Sequence, residues 1–313
     1  MLRESLLYLS HARWARRAIS GFSPARRTAR RFVAGETPAD AIHVIRELNA
    51  QGIQATVDHL GENVASESDA ARAAGDCLTI LDRIEADGVK SHLSVKLTQL
   101  GLDLGESVCL NHMRPILDRA RQIGAFVRID MEGSDYTDRT LHIVRALKHD
   151  FNLVNTGTVI QSYLYRSEQD IRDLIAEGIR VRLCKGAYQE PPDRAFPRKR
   201  DVDANYVKLT QLLLDGIAAQ NTNASDLYPA FATHDEAMIA ATRSYAEMKN
   251  VPRSAFEFQM LYGIRRDLQE MLAREGYNVR VYVPYGSEWY PYFMRRLAER
   301  PANLWFFLSN LVR

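Results

Sequence analysis

Short runs of β-branched and aromatic residues alternate along the chain with longer stretches in which apolar residues recur every three to four positions. The first pattern is typical of β-strands and the second of amphipathic helices. The predicted strands are 53–60, 92–100, 125–132, 157–164, 179–186, 228–234, 256–263 and 278–286. The predicted helices include 66–86, 114–124, 138–150, 167–178, 203–220 and 235–249, and a helical region precedes the first strand, to about residue 50.

Two of the helices carry local start and stop signals. Ser167 is expected to cap the helix that Gly178 ends, and Asp235 is expected to cap the helix that follows it.

Eight strands that alternate with helices favour a parallel sheet, because each crossover helix returns the chain to the same edge. Eight such units in 313 residues fit an α/β fold of the (β/α)8, or TIM barrel, type. A doubly wound open sheet is the alternative. No GxGxxG motif opens the first strand–helix turn, however, so the usual dinucleotide fingerprint is absent.

Charge distribution adds one feature to this picture. Hydrophobic residues make up 46% of the chain, charged residues 26%, and the formal net charge is +2. Residues 1–34 hold eight arginines and one acid, Glu4, a balance of +7 that leaves −5 for the rest. We interpret this arm either as a solvated helix packed on one face of the fold or as an amphipathic segment that touches anionic lipid or nucleic acid.

Cysteine usage and hydropathy favour a cytoplasmic protein. Cys77, Cys109 and Cys184 form no CxxC pair, which is typical of reduced thiols. No apolar run approaches the roughly 18 residues of a membrane span, and no signal-peptide pattern is present. The arginine-rich arm makes peripheral contact with the inner face of the membrane an open possibility. No HExxH motif is present, and no metal site is predicted.

Polar side chains concentrate where a barrel would build its site, at the carboxyl ends of the strands. Each alone is more often a cap, a turn former or a snorkelling side chain. Together they indicate a site, because buried charges need partners. Their positive members predict an anionic ligand, with Lys185 and Gly186 placed to approach a phosphate. The set includes Lys96, Asp130, Gln161, Arg182, Lys185, His234, Gln259 and Tyr282.

The stretch YPYFMRRLAE, at 290–299, is predicted to form a final helix over the barrel mouth. Tyr292, Arg295, Arg296 and Glu299 would share one face of it. A surface helix held by pairs with Glu299 is the alternative. The crowd of aromatic residues and the two adjacent guanidinium groups, which could clamp one carboxylate, favour a lid.

Seven segments together resemble the monofunctional bacterial proline dehydrogenase family, in order over roughly 50–310. They are LSVKLTQLG, VRIDMEGSDY, VIQSYL, VRLCKGAY, FATHD, FEFQMLYG and YFMRRLAE. The resemblance implies a distorted (β/α)8 barrel that binds FAD, here over 51–313. It implies oxidation of L-proline to Δ1-pyrroline-5-carboxylate, the first step of proline degradation to glutamate, with electrons passed to membrane quinone. From the sequence pattern, residues 1–50 are expected to form a helical arm packed on this barrel.

The resemblance also assigns roles to residues. Asp130 and Arg182 match active-site positions, and Glu62 would pair with Arg295 as a gate. Substrate contacts fall on Lys96, Leu261, Tyr282, Tyr292, Arg295 and Arg296. Flavin contacts fall on Met131, Gln161, Arg182, Lys185, Gly186, Ala187, Thr233 and His234.

Departures and alternatives remain at this stage. Gln189 stands where longer bifunctional relatives often carry a tryptophan, and the loop before Arg295 is shorter than in those forms. One alternative is a barrel enzyme that acts on a phosphorylated or carboxylate substrate without flavin. Another is a non-enzymatic membrane- or nucleic-acid-binding module, although the charged strand ends argue against it. No nucleic-acid partner is expected, and docking of a separate pyrroline-5-carboxylate dehydrogenase is left open.

Overall fold

The eight predicted strands are present and close into a parallel barrel. The computed structural model describes residues 29–61, 64–219 and 227–299, except the side chains at 295 and 297–299. Each strand pairs with the next in the chain, and β8 pairs with β1. The strands are β1 (Gln54–His59), β2 (Ser91–Val95), β3 (Val127–Ile129), β4 (Thr156–Gln161), β5 (Arg180–Cys184), β6 (Ala230–Ala232), β7 (Glu257–Leu261) and β8 (Asn278–Tyr285).

Helices of the described ranges surround this barrel. The helix α1 precedes β1, and each later helix follows the strand one number lower. The helices are α1 (Pro38–Ala50), α2 (Glu67–Ala86), α3 (Glu106–Gln122), α4 (Thr137–His149), α5 (Ser167–Ala176), α6 (Lys199–Ala219), α7 (Glu236–Met248), α8 (Arg266–Arg274) and α9 (Trp289–Glu299). None of them, within the part of the chain described, is long and apolar enough to cross a membrane.

The position of α1 distorts the usual barrel plan. A capping box of Thr37 and Asp40, with Pro38 in the first turn, starts this helix. Its buried face packs against β8 and β1, where a helix after β8 would ordinarily lie. Because α1 occupies this position, α9 packs elsewhere.

The helix α9 packs in a second apolar cluster, separate from the main core. Its aromatic face buries Trp289, Tyr290 and Phe293 against Phe32 and the rest of the segment 29–33. Leu60 and Ile264 complete the contact from the ends of the barrel loops. This cluster fixes the final helix at the carboxyl end of the barrel, as the sequence predicts. Residues 1–28 of the predicted arm lie outside the described residues, and the domain boundary at residue 50 stays a prediction.

Local signals predicted some helix ends and missed others. Asp235 caps α7 as expected, accepting a hydrogen bond from the Ala237 backbone N–H. The prediction that Ser167 caps α5 is wrong: Ser167 is the first helical residue, and its hydroxyl donates to the Gln161 carbonyl at 2.5 Å. Gly178 follows the end of that helix with a φ of +64°, as predicted.

Two helices differ from the prediction. The helix predicted to begin at residue 114 begins at Glu106, so that Pro115 lies inside α3. Buried Cys109, Met113 and Ile116 hold the helix on both sides of the proline, and packing overrides the break that proline favours. The short helix α8 carries no side-chain N-cap, and its bounds were not among those given from the sequence.

Alternation along the strands sends apolar side chains outward to the helices and polar side chains into the barrel. On β1, Ala55 and Val57 are fully buried in the main core, whereas Asp58 faces the interior beside Lys96. Gly157 leaves room for the Arg128 guanidinium, since an added Cβ would lie 3.0 Å from Arg128 Nη1. Barrel interiors are commonly filled by branched apolar residues, and the charges here predict a functional interior.

Gly263 tests whether the segment 29–33 is locked beneath α9. This glycine has a φ of +75°, and any Cβ would overlap the Arg31 carbonyl. Gly52 has the same φ but open space around it. We expect Gly52→Ala to lower the free energy of unfolding by about 1–2 kcal/mol, and Gly263→Ala to lower it by a further ~1–3 kcal/mol because of overpacking. Denaturant unfolding measures both; equal losses would contradict the close contact.

Candidate active site

A cavity of about 590 Å³ opens at the carboxyl end of the barrel. Every predicted site residue whose side chain is described lines this cavity. These residues are Lys96, Asp130, Met131, Gln161, Arg182, Lys185, Gly186, Ala187, Thr233, His234, Leu261, Tyr282, Tyr292 and Arg296. The predicted gate lies outside the described residues, because Glu62 and the Arg295 side chain are not among them.

An ion pair between Arg182 and Asp130 organises the floor of the cavity. Arg182 Nη1 lies 2.6 Å from Asp130 Oδ1, and both side chains are almost fully buried. Ser94 Oγ bridges the two groups, 3.2 Å from each. The Tyr282 hydroxyl donates to the other Asp130 oxygen at 2.9 Å, and its ring lies under the guanidinium at 5.5 Å. Side chains of β2, β5 and β8 thus contact the Asp130 carboxylate, which follows β3.

Lys96 completes this cluster from the end of β2. Its ammonium lies 3.0 Å from both oxygens of Asp58, 3.8 Å from Asp130 Oδ2 and 3.4 Å from the Tyr282 hydroxyl. Burial alone would lower the pKa of Lys96, but the Asp58 and Asp130 carboxylates hold it above its ordinary value. Burial raises the pKa of Asp58. With Arg182 included, the cluster holds two cations and two carboxylates.

The helix α9 brings a further cation to this cluster. Arg296 and Tyr292 stand one turn apart on α9, and the Arg296 guanidinium lies 5.2 Å from the centre of the Tyr292 ring. Arg296 is 8% exposed, although it lies near the end of the described chain. Because the second apolar cluster fixes α9, this charge faces the same cavity as Lys96 and Asp130.

The opposite side of the cavity is built from the loop after β5. Gly186 has a φ of +117°, and an added Cβ would lie 2.5 Å from the Tyr163 ring. The Lys185 carbonyl accepts the Tyr163 backbone N–H at 3.0 Å. Glu190 ties the same loop to the end of β3, accepting the Ser134 backbone N–H at 2.8 Å and the Tyr163 hydroxyl at 3.2 Å. The main chain at Gly186 is therefore packed against the Tyr163 ring and firmly held.

Lys185 has carboxylate partners where the sequence predicted a phosphate contact. Its ammonium lies 2.5 Å from Asp203 Oδ1 and 2.7 Å from Asp235 Oδ2. Lys199, at the start of α6, pairs with the same two carboxylates. Two lysines and two aspartates thus balance at this end of the cavity. The positive charge of Lys185 is therefore already compensated by these two aspartates.

Two further polar residues have fixed hydrogen bonds. His234 Nε2 accepts the Leu261 backbone N–H at 2.9 Å, which leaves Nδ1 as the ring nitrogen that carries the proton. Gln161 Nε2 donates to the Glu132 carbonyl at 2.9 Å. These contacts hold the ends of β4, β6 and β7 in register at the cavity wall.

Several residues that line the cavity or lie beneath it were missed from the sequence. Asp58 is the most consequential, and the alternation of Gln54, Thr56 and Asp58 along β1 could have placed it inside the barrel. Tyr188, Cys184 and Lys199 also line the cavity. Among the residues described, no group of three or more His, Cys, Asp or Glu side chains could hold a metal ion.

Comparison with known proteins identifies the family of the chain. A family model described as proline dehydrogenase matches residues 41–307, which includes every strand. The chain belongs to the proline dehydrogenase family. As a proline dehydrogenase it is an oxidoreductase of proline catabolism.

Curated relatives and solved structures extend the comparison. Proline dehydrogenase 1 of Bacillus subtilis is 44% identical over 313 residues, covering the whole of both chains. Proline dehydrogenase of Deinococcus radiodurans is 41% identical and covers 91% of this chain and 90% of its own. The crystal structure of proline utilization A from Bdellovibrio bacteriovorus, inactivated by N-propargylglycine, matches with a TM-score of 0.81 and 28% identity. The match covers 88% of this proline dehydrogenase and 33% of that longer chain.

Proposed function

We propose that this proline dehydrogenase binds FAD in the described cavity and oxidises L-proline to Δ1-pyrroline-5-carboxylate. The observation that supports this most is the two-sided cavity. One side gathers Lys96, Arg182 and Arg296 around a carboxylate network, and the other is lined by Gln161, Thr233 and His234.

The residues present fit a flavin dinucleotide. The cavity volume of about 590 Å³ lies in the range of cofactor sites, and its wall combines apolar side chains with a few polar groups, as such sites do. Gln161, Thr233 and His234 would line the flavin, with Met131 and Ala187 as apolar contacts. Lys185 and Lys199 would serve the phosphates, with Asp203 and Asp235 keeping both lysines in place.

The substrate carboxylate would bind at the other side. Lys96 and Arg182 are paired with Asp58 and Asp130, and Arg296 faces the same cavity from α9. A carboxylate between Arg296 and Lys96 would receive charge-assisted hydrogen bonds from both. Arg295 is proposed as the second guanidinium of the clamp. Tyr282, Leu261 and Tyr292 would flank the ring, where apolar walls exclude water.

The chain's own residues then have little proton transfer to perform. FAD, when bound, accepts the hydride from the ring carbon next to nitrogen. Asp130 accepts hydrogen bonds from Arg182, Tyr282 and Ser94, so its proposed role is to orient these donors. The closed floor and α9 would hold the substrate in one orientation, and such positioning supplies much of the rate in a site without a nucleophile.

A barrel enzyme for a phosphorylated substrate is the weaker alternative. Lys185, the residue expected to bind such a phosphate, is matched by two carboxylates. The same lysine would serve a flavin phosphate in the proposed function, so the family membership is what disfavours this alternative.

The direct test is anaerobic addition of L-proline to the purified, flavin-loaded protein. We expect the visible flavin absorbance to bleach with L-proline and to persist with glycerol 3-phosphate, a phosphorylated control. Extraction should release FAD rather than FMN. An absorbance spectrum that L-proline leaves unchanged would contradict the proposed substrate, and released FMN would contradict the proposed cofactor.

Arg296→Met tests the carboxylate clamp. Loss of a charge-assisted hydrogen bond is worth roughly 1.5–3 kcal/mol, so KM for L-proline should rise roughly 10- to 100-fold while flavin content holds. Arg266→Met is a matched control, because Arg266 stacks on Tyr262 at 5.4 Å away from the cavity. Steady-state kinetics compares the two variants. The same KM in both would place the carboxylate elsewhere.

The electron acceptor is proposed to be a membrane quinone, with the arginine-rich N-terminus making peripheral contact with anionic lipid. The +7 balance of residues 1–34 supports the lipid contact. Because residues 29–33 pack under α9, the deletion to test is 1–28. It should weaken flotation with anionic vesicles at low salt and spare turnover with a soluble acceptor. Undiminished flotation would contradict a lipid role for the arm. Docking of a pyrroline-5-carboxylate dehydrogenase remains a proposal that co-purification would test.

A further inference from the structure

Gln259 lies between a cation and an anion in the barrel interior. It stands on β7 and is 4% exposed. Its side-chain oxygen accepts the Arg182 Nε–H at 2.5 Å, and its side-chain NH₂ donates to Glu257 Oε1. The amide therefore joins the floor of the cavity to the layer of charges beneath it.

The chemistry of the two neighbours fixes which way this amide points. An arginine N–H can only donate, and an ionised carboxylate can only accept. Burial alone would raise the pKa of Glu257, but Arg280 holds it below its ordinary value, so the carboxylate is ionised. The amide must present its oxygen to Arg182 and its NH₂ to Glu257.

Glu257 is itself anchored. Arg280 Nε lies 2.9 and 3.1 Å from the two Glu257 oxygens, and Arg280 Nη1 donates to the Ala55 carbonyl at 2.8 Å. All of these groups are buried inside the barrel. A chain of contacts thus runs from the β1 main chain through Arg280, Glu257 and Gln259 to Arg182.

Arg182 is held on three sides by different strands. Its Nε contacts Gln259, its Nη1 contacts Asp130 and its Nη2 contacts Ser94. Asp130 also contacts Lys96 and Tyr282, and both of these side chains border the proposed substrate site. The Gln259 contact is the one that links Arg182 to the Glu257–Arg280 pair.

We propose that Gln259 is a positioning residue that fixes Arg182 in the wall of the cavity while adding no charge to it. This inference rests on the proposed function. A glutamate in its place would neutralise Arg182, repel Glu257 and change the balance of the Asp58, Lys96, Asp130 and Arg182 cluster by one negative charge. Negative charge there would oppose both electron transfer into a flavin and binding of a carboxylate.

Three variants and one control test the proposal. Gln259→Glu adds the charge, Gln259→Leu removes both hydrogen bonds, and Gln259→Asn keeps the amide one methylene short. Asn155→Leu is the control, because Asn155 is an amide at the other end of the barrel that donates to the Leu117 carbonyl at 2.9 Å. The readouts are kcat and KM with L-proline, the flavin midpoint potential, and the melting temperature of the protein without cofactor.

We expect Gln259→Leu to lower kcat roughly 10- to 100-fold through misplacement of Arg182, with Gln259→Asn recovering part of the loss. Gln259→Glu should move the flavin potential to more negative values. Asn155→Leu should lower the melting temperature and leave kcat and the potential as in the wild type. The potential needs only flavin-loaded protein, so it remains decisive even if L-proline proves not to be the substrate.

A merely structural Gln259 would give a different pattern. All Gln259 variants would then melt earlier, as the control does, with kcat and potential unchanged, and the proposal would be overturned. A crystal structure of Gln259→Asn without cofactor adds a readout that needs no flavin. We expect the Arg182 guanidinium to shift away from Ser94; an unmoved guanidinium would also overturn the proposal.

Discussion

The ion pair between Arg182 and Asp130 is the contact on which the rest of the cavity depends. It joins β5 to the end of β3 inside the barrel, and Ser94, Tyr282 and Lys96 all contact Asp130. Buried charges are costly unless each is matched and hydrogen-bonded. The barrel meets this demand with pairs: Lys96 with Asp58 on one side, and Glu257 with Arg280 below. Balanced pairs let an interior this polar stay folded, and they make any additional charge at the mouth influential.

Arg296 reaches the cavity because of the way the chain continues after β8. Because α1 occupies the outer-ring position beside β8 and β1, α9 packs instead on the segment 29–33. The aromatic residues that looked excessive for a surface helix form this second apolar cluster, and they aim Arg296 at the cavity. The packing of the second apolar cluster therefore accounts both for the position of α9 and for the place of the proposed carboxylate site.

Much of this arrangement could be predicted from the sequence, for identifiable reasons. The strands were visible because short runs of Val, Ile and aromatic residues are separated by helical periodicity, and polar residues at their carboxyl ends must meet at one rim. Contacts between distant residues were not visible: Lys185 meets Asp203 on α6 and Asp235 after β6 only in the folded chain. Pro115 misled the prediction of α3, because buried neighbours on both sides outweigh a local break. Asp58 could have been found from the alternation along β1, had the inward face been examined for charge.

The central claim is that a balanced cluster on the barrel floor and Arg296 on α9 together bind the substrate carboxylate. A crystal structure of the FAD-loaded protein with tetrahydrofuran-2-carboxylate, in which oxygen replaces the amine of proline, tests it most directly. The account predicts the carboxylate within hydrogen-bond distance of Arg296 and Lys96, with the Arg182–Asp130 pair unbroken beneath the ring. A carboxylate bound instead beside Lys185 and Lys199, or one that separates Arg182 from Asp130, would contradict it.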